Sequence, residues 1–302
     1  MKLLLVKWLL VFIIVLISSA ANAVTITHIK GTTKLSSTPK RVVVLGNASL
    51  DILDKIGIKP IGAPHSLLPD YLTHYKQTTE NTGTTAEPDF EAIYMLKPDV
   101  IIAENRMLTL YDQLSDIAPT VMFYVQTGRY WQDSKMNWRM LGKLFNKPQQ
   151  IESYITEVQG QIDKVKSRVN ASSLDTLVVM SNGKSLAMFD ENSRFSMIFK
   201  QLGFSSASSR NVASRKGRHG ELISFEYIAD AKPDTMFVLD RQQAIGRSAG
   251  KAKALFNNPL IHATKAAANT KIAFMDANAW YISSGGITAT HIMIDDIANA
   301  LN

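Results

Sequence analysis

The chain of 302 residues contains no cysteine at all. A cystine-stapled fold is therefore excluded, and the structure must rest on an ordinary apolar core. A lipid-modified cysteine behind an export signal is excluded for the same reason. The familiar catalytic signatures are missing as well. There is no G-x-x-x-x-G-K-[ST] loop, no G-x-S-x-G elbow, no H-E-x-x-H and no G-x-G-x-x-G after a strand. The six histidines stand singly, which argues against a zinc cage. Lys and Arg are scattered and no basic-aromatic motif accompanies them, so nucleic acid is not an expected partner.

Long apolar runs are rare too, and the one that stands out lies at the start. Lys2 and Lys7 give a basic opening, Trp8 to Ile17 is apolar, and Ala21-Asn22-Ala23 has the small-x-small pattern of a cleavage site. That combination reads as a secretory signal over residues 1–23, too short and wrongly flanked for a membrane span. A free periplasmic protein beginning at Val24 is expected. Removing the leader lowers the formal charge from +7 to +5, a balance that suits an anionic ligand. The whole chain is 46% apolar and 20% charged, ordinary for a soluble protein with a sizeable core.

What the chain does have is an internal echo. Phe90, Glu91, Ile93, Lys97, Pro98, Asp99 and Arg106 recur 135 positions later as Phe225, Glu226, Ile228, Lys232, Pro233, Asp234 and Arg241. A single repeat this far apart implies two related lobes rather than a solenoid.

Buried-strand runs alternate with helical stretches on either side of that echo. Arg41 to Leu45, Val100 to Ala103 and Thr120 to Tyr124 read as strands, separated by helices near Leu50 to Ile56, Pro88 to Leu96 and Leu108 to Ile117. This is an α/β lobe with a mainly parallel sheet. A helical section from Gln132 breaks at Asn146-Lys147-Pro148. Beyond the break, Ile151, Ile155, Val158, Ile162, Val165 and Val169 make one apolar face. We read it as a stiff connector, giving a leader (1–23), an N-terminal lobe (24–146), a connecting helix (147–169) and a C-terminal lobe (170–302). The second lobe should open with a hairpin at Asn182-Gly183, continue through a helix from Arg194 to Leu202, and carry a loop from Ser205 to Gly220. A helix from Lys253 to Ala268 and a closing helix from Thr288 to Leu301 complete it.

In parallel α/β sheets, ligands sit beyond the carboxyl ends of the strands. Arg106 and Arg241 both fall just there. One such arginine is ordinarily a solvated charge, whereas a matched pair on facing lobes can grip planar anionic oxygens. Glu91 and Glu226 occupy the first turn of their helices, where the helix dipole alone explains a carboxylate. Their symmetry adds the possibility of one acidic knob per lobe for a two-fold symmetric partner.

Several segments in order resemble the periplasmic substrate-binding proteins of ABC importers for iron-siderophores, in the branch that binds ferric catecholates (the CeuE and VctP type, class III receptors). They are Pro39 to Val44, Gly83 to Glu91, Lys97 to Ile102 and His219 to Glu226, and the likeness covers essentially the whole mature chain. The resemblance implies two α/β lobes joined by one long helix, with little hinge motion. It implies that Glu91 and Glu226 dock on the inner-membrane permease. It also implies that His219 and Tyr281 complete the coordination of iron in a tetradentate siderophore, while Arg106, Arg194 and Arg241 surround a triply negative complex. Arg215 and Arg218 are possible helpers, and Tyr124, Trp131 and Trp280 are possible faces for catechol rings or core residues. Phenolate suits a hard ferric ion, and imidazole is acceptable beside it. The expectation is a monomeric, non-enzymatic receptor with no cofactor of its own. The open alternatives are the same fold carrying haem, cobalamin or a hydroxamate, an exported hydrolase using His219 as base, and an interaction module built on the paired Glu residues.

Overall fold

The computed structural model describes residues 23–207, 220–247 and 250–301. His219, Arg215, Arg218 and the expected leader other than Ala23 lie outside the described residues.

An antiparallel hairpin of β1 (Val24–His28) and β2 (Gly31–Leu35) comes first. The N-terminal lobe then builds a five-stranded parallel sheet from β3 (Val42–Val44), β4 (Gly62–Ala63), β5 (Glu80–Asn81), β6 (Val100–Glu104) and β7 (Thr120–Phe123), in the order β5-β4-β3-β6-β7. Val42 to Val44, Val100 to Ala103 and Thr120 to Phe123 are buried throughout. Helices on both faces of a parallel sheet demand such unbroken apolar runs.

The C-terminal lobe has a mixed sheet. β8 (Asp175–Asn182), β12 (Thr235–Asp240) and β13 (Ile272–Phe274) run parallel, whereas β9 (Ser185–Phe189) and β11 (Glu221–Ile223) extend it antiparallel; β10 (Ser205–Ser206) pairs with β8. The expected hairpin is β8–β9, turning through Gly183 at φ 64.

The helices that matter for the site are α1 (Asn47–Lys55), α2 (Phe90–Met95), α3 (Tyr111–Ile117), α4 (Tyr130–Leu144), α5 (Pro148–Ser172), α6 (Phe225–Ala231), α7 (Arg241–Ala244), α8 (Ala277–Tyr281) and α9 (Ile287–Asn299). The connector α5 starts on Pro148, which tolerates a first helical turn, and ends at Ser172, three residues beyond the expected Val169. Its buried residues are Ile151, Ile155, Val158, Ile162, Val165 and Val169, the stripe read from the sequence. At about 2 kcal/mol for each buried aliphatic side chain, this stripe is a major part of what joins the lobes. It belongs to one apolar cluster that runs through both of them, including Leu50, Trp138, Phe195, Trp280 and Met293.

The expected long helix from Lys253 to Ala268 is instead three short ones, Lys251–Leu255, Pro259–His262 and Lys265–Ala268. Pro259 lacks the N–H that a continuous helix needs, while Asn258 and Thr264 cap the second and third pieces. The helix expected from Arg194 is a π-helical turn confined to Met197–Gln201, so Arg194 itself lies in the preceding turn.

Candidate functional site

The repeated segments fold alike. Asp89 accepts a hydrogen bond from Ala92 N at 2.9 Å and Ser224 one from Tyr227 N at 3.3 Å, each capping its helix. Each helix ends on a lysine in the left-handed region, Lys97 at φ 45 and Lys232 at φ 46. The following Pro-Asp turn sends β6 and β12 back antiparallel to α2 and α6. Glu91 and Arg106 therefore come to one end of the first lobe, and Glu226 and Arg241 to one end of the second. Both glutamates are exposed and neither lines the cleft between the lobes. The Glu226 carboxyl lies below its ordinary range because the Ser224 hydroxyl bonds to it.

That cleft has a volume of about 540 Å³. Arg106, Arg194, Arg241 and Tyr281 all line it, so the four predicted ligand and metal residues that are described share one cavity. Arg106 is the second residue of the 3₁₀ turn Asn105–Leu110 after β6, and Arg241 is the first residue of α7 directly after β12. Tyr281 ends α8, and Arg194 follows β9 in a turn held by Ser193 Oγ donating to Asp190 O at 2.6 Å.

The phenol of Tyr281 is the centre of the group. Arg241 Nε donates to its hydroxyl at 3.0 Å, and the Arg194 guanidinium lies 4.2 Å from its ring centroid. Arg106 and Arg241 lie 5.7 and 5.8 Å from the same centroid. Three cations thus face one ring, through its π-face as well as its oxygen. Burial by itself raises the Tyr281 pKa, but the Arg241 hydrogen bond and the charges of Arg194, Arg241 and Arg106 outweigh it, and the net shift is downward. Asn182 Oδ1 accepts from Arg241 Nη1 at 3.2 Å and also from Gln242 Nε2, which fixes the guanidinium plane.

Of the aromatic residues considered as ring partners, Tyr124 lines the cleft. Trp131 and Trp280 are buried in the core instead. Trp131 Nε1 donates to Gln159 Oε1 at 2.7 Å and Trp280 Nε1 to Asp296 Oδ2 at 2.9 Å.

Sequence reasoning missed three carboxylates, of which Glu104 lines the cleft. Glu104 ends β6 and accepts from Ser49 N at 2.7 Å and Ser49 Oγ at 2.8 Å. It lies so close to Gly46 that a Cβ there would come within 1.9 Å of its Cδ. Burial pushes its pKa up, against the Ser49 hydrogen bonds and the Arg106 charge. Asp51 is fully buried and crosses between lobes. It accepts from Thr288 N at 3.0 Å and Ala289 N at 2.9 Å, at the start of α9, and from Tyr71 OH at 3.1 Å. Burial raises its pKa despite those bonds. Asp296, the third, anchors Trp280. None of the three carries a local sequence signal; Asp51 stands out only once the structure shows Asn47 to Leu53 all buried although three are polar.

More contacts pin the lobes together at this cleft. Trp138 Nε1 donates to Gly285 O at 2.6 Å, Gly128 N to Ser193 O at 3.0 Å, and Tyr130 OH meets Thr290 Oγ1 at 2.7 Å. The Leu67 carbonyl accepts from Asn47 Nδ2 at 2.8 Å and from Asn278 Nδ2 at 2.7 Å, one residue from each lobe. Gly285, at φ 107, packs against Phe123 and Val125, where a Cβ would come within 3.2 Å. The loop that follows Tyr281 is therefore seated in the opposite lobe.

Two α/β lobes, one with a parallel and one with a mixed sheet, one long helical connector and a polar cleft at the strand ends define a class of ligand receptor. The chain belongs to the periplasmic binding protein family, whose profile matches residues 42–279. It is 35% identical over 281 residues to the ferric-anguibactin-binding protein FatB of Vibrio anguillarum, covering 91% of this chain and 86% of that one. It is 33% identical over 275 residues to the petrobactin-binding protein YclQ of Bacillus subtilis, covering 90% and 86%. Among solved structures, the periplasmic catecholate-siderophore binding protein VctP of Vibrio cholerae superposes with a TM-score of 0.86 at 39% identity, over 92% of this chain and all of that one. The two-lobed α/β architecture is that of a class III periplasmic binding protein.

Proposed function

We propose that this protein is the ferric-siderophore receptor of an ABC importer, acting in the periplasm after removal of a leader ending at Ala23. The observation that carries this reading is a phenol inside a three-arginine cleft, with its hydroxyl hydrogen-bonded to Arg241. An anionic ferric catecholate meets two needs of that cleft. Its charge is balanced by Arg106, Arg194 and Arg241, and its iron offers open positions to a phenolate whose deprotonation the arginines already favour. A tetradentate bis-catecholate leaves two such positions, for Tyr281 and, on the family resemblance, for His219. The receptor performs no bond-breaking step, carries no cofactor of its own and works as a monomer. Glu91 and Glu226, exposed at matching places on the two lobes, meet the basic residues of a permease with two-fold pseudosymmetry.

Titration of the mature protein with Fe(III) bis-catecholate tests this. Sub-micromolar quenching of Trp fluorescence is expected, together with an iron–phenolate absorption change that disappears in the H219A/Y281F double variant. No binding, or an unchanged absorption spectrum in the double variant, sinks the direct-ligation reading. A Soret band on mixing with haem, or preferential binding of ferric citrate, moves the cargo to another class.

A further inference from the structure

The Arg194–Tyr281 stack in the cleft continues one residue inward. Phe195 and Trp280, the next residues along each segment, pack with ring centroids 5.9 Å apart in the core, both almost completely buried. Beneath them lies Asp296, on α9. A single oxygen, Asp296 Oδ2, accepts from Trp280 Nε1 at 2.9 Å and from Asp276 N at 2.7 Å. Asp276 is the residue that caps α8, accepting from Ala279 N at 2.7 Å. One carboxylate therefore fixes both ends of the helix that ends at Tyr281. With only five residues, α8 cannot hold itself in place without such outside support.

We propose that Asp296 is a positioning residue for the ligand site, holding Tyr281 against Arg194 and Arg241 through Trp280 and the α8 cap. Because it touches none of the cleft residues, its effect passes entirely through the orientation of α8. Its chemistry supports a role beyond stability. Burial, aided by the charges of Asp276 and Asp295, raises its pKa to about 6 against the pull of its two hydrogen bonds. A carboxyl whose folded pKa lies above its unfolded value of about 4 binds more protons folded than unfolded. Stability then falls as pH rises from about 4 to about 6. An apolar side chain would spare that cost. A carboxylate here fits a site whose geometry matters more than its contribution to stability.

The test reads Tyr281 directly. Phenolate absorbance of the ligand-free protein, minus that of Y281F, reports the Tyr281 titration without any iron ligand. In Asp296→Ala the midpoint is expected to rise toward that of a free phenol, and affinity for Fe(III) bis-catecholate to fall about tenfold. Asp296→Asn, whose carboxamide oxygen can accept the same two bonds, should stay within about twofold of the native affinity. Trp280→Phe removes the indole donor along with part of the ring and should give a partial shift, which keeps the test alive if the alanine variant does not fold. A folded D296A or W280F whose Tyr281 titrates as in the native protein overturns the proposal, as does an Asn variant as impaired as the Ala one. The affinity arm rests on the siderophore reading. If the native protein fails to bind the ferric complex, that reading falls while the phenol titration still decides the role of Asp296.

Discussion

The two copies of the repeated segment share a frame and differ in their neighbours. In both, a capped helix closes on a left-handed lysine. In both, an aspartate then takes a backbone N–H at the start of the adjacent strand, Asp99 from Arg41 N at 2.8 Å and Asp234 from Asp175 N at 3.4 Å. Each copy delivers an arginine to the strand end. There the likeness stops. Arg241 is tied to Tyr281 and Asn182, whereas Arg106 is exposed and approaches the Tyr281 ring from the other side of the cleft. Local sequence thus sets where a guanidinium stands, and the surrounding lobe decides what it does. The second lobe carries an assembled phenol–arginine pair, while the first adds charge from across the gap.

The comparison can be broken most severely at the contact that holds the lobes in register. Asp51→Ala leaves two N–H groups of α9 and the Tyr71 hydroxyl without their acceptor, so equilibrium unfolding in urea should show a loss of about 3 kcal/mol. The difference between the arginines comes next. Arg241→Ala should weaken ferric-ligand binding about a hundredfold and raise the Tyr281 midpoint in a spectrophotometric titration, because burial then acts with less opposition. Arg106→Ala should cost only about tenfold and move the midpoint less. Equal losses from the two variants would show that the arginines act as simple charges. The smallest effect concerns what the copies share. Lys97→Gly and Lys232→Gly should each stabilise the protein by about 0.5 kcal/mol, since glycine tolerates the left-handed region. Thermal unfolding showing a gain in one lobe only would mean that the shared frame is less uniform than its φ values suggest.

Much of this was legible in the sequence, for reasons that differ by residue. The α5 stripe could be read because helical periodicity is local. Arg106 and Arg241 could be placed because strand ends follow from apolar runs. Arg194 and Tyr281 carry no local signal, and only the family resemblance singled them out. Asp51, Glu104 and Asp296 were missed because each is defined by what lies opposite it. Asp51 reads as the polar side of an ordinary helix, yet α1 is enclosed on all sides and the residue's acceptors face another lobe. Between Lys253 and Ala268 the apolar pattern alone reads as one helix, whereas Pro259 and the caps at Asn258 and Thr264 divide the stretch into short pieces.

The partners of Asp51 lie 237 and 238 residues further along the chain. Within its own lobe Asp51 is met by the Tyr71 hydroxyl, and its two backbone donors come only with the last helix. Forming that contact closes a loop over most of the chain, a long-range event. A chain cut short before Gly286 would lose more than its final helix. The cut would remove the two backbone N–H groups that hold the Asp51 carboxylate and the segment that covers it, and with them a direct tie between the lobes.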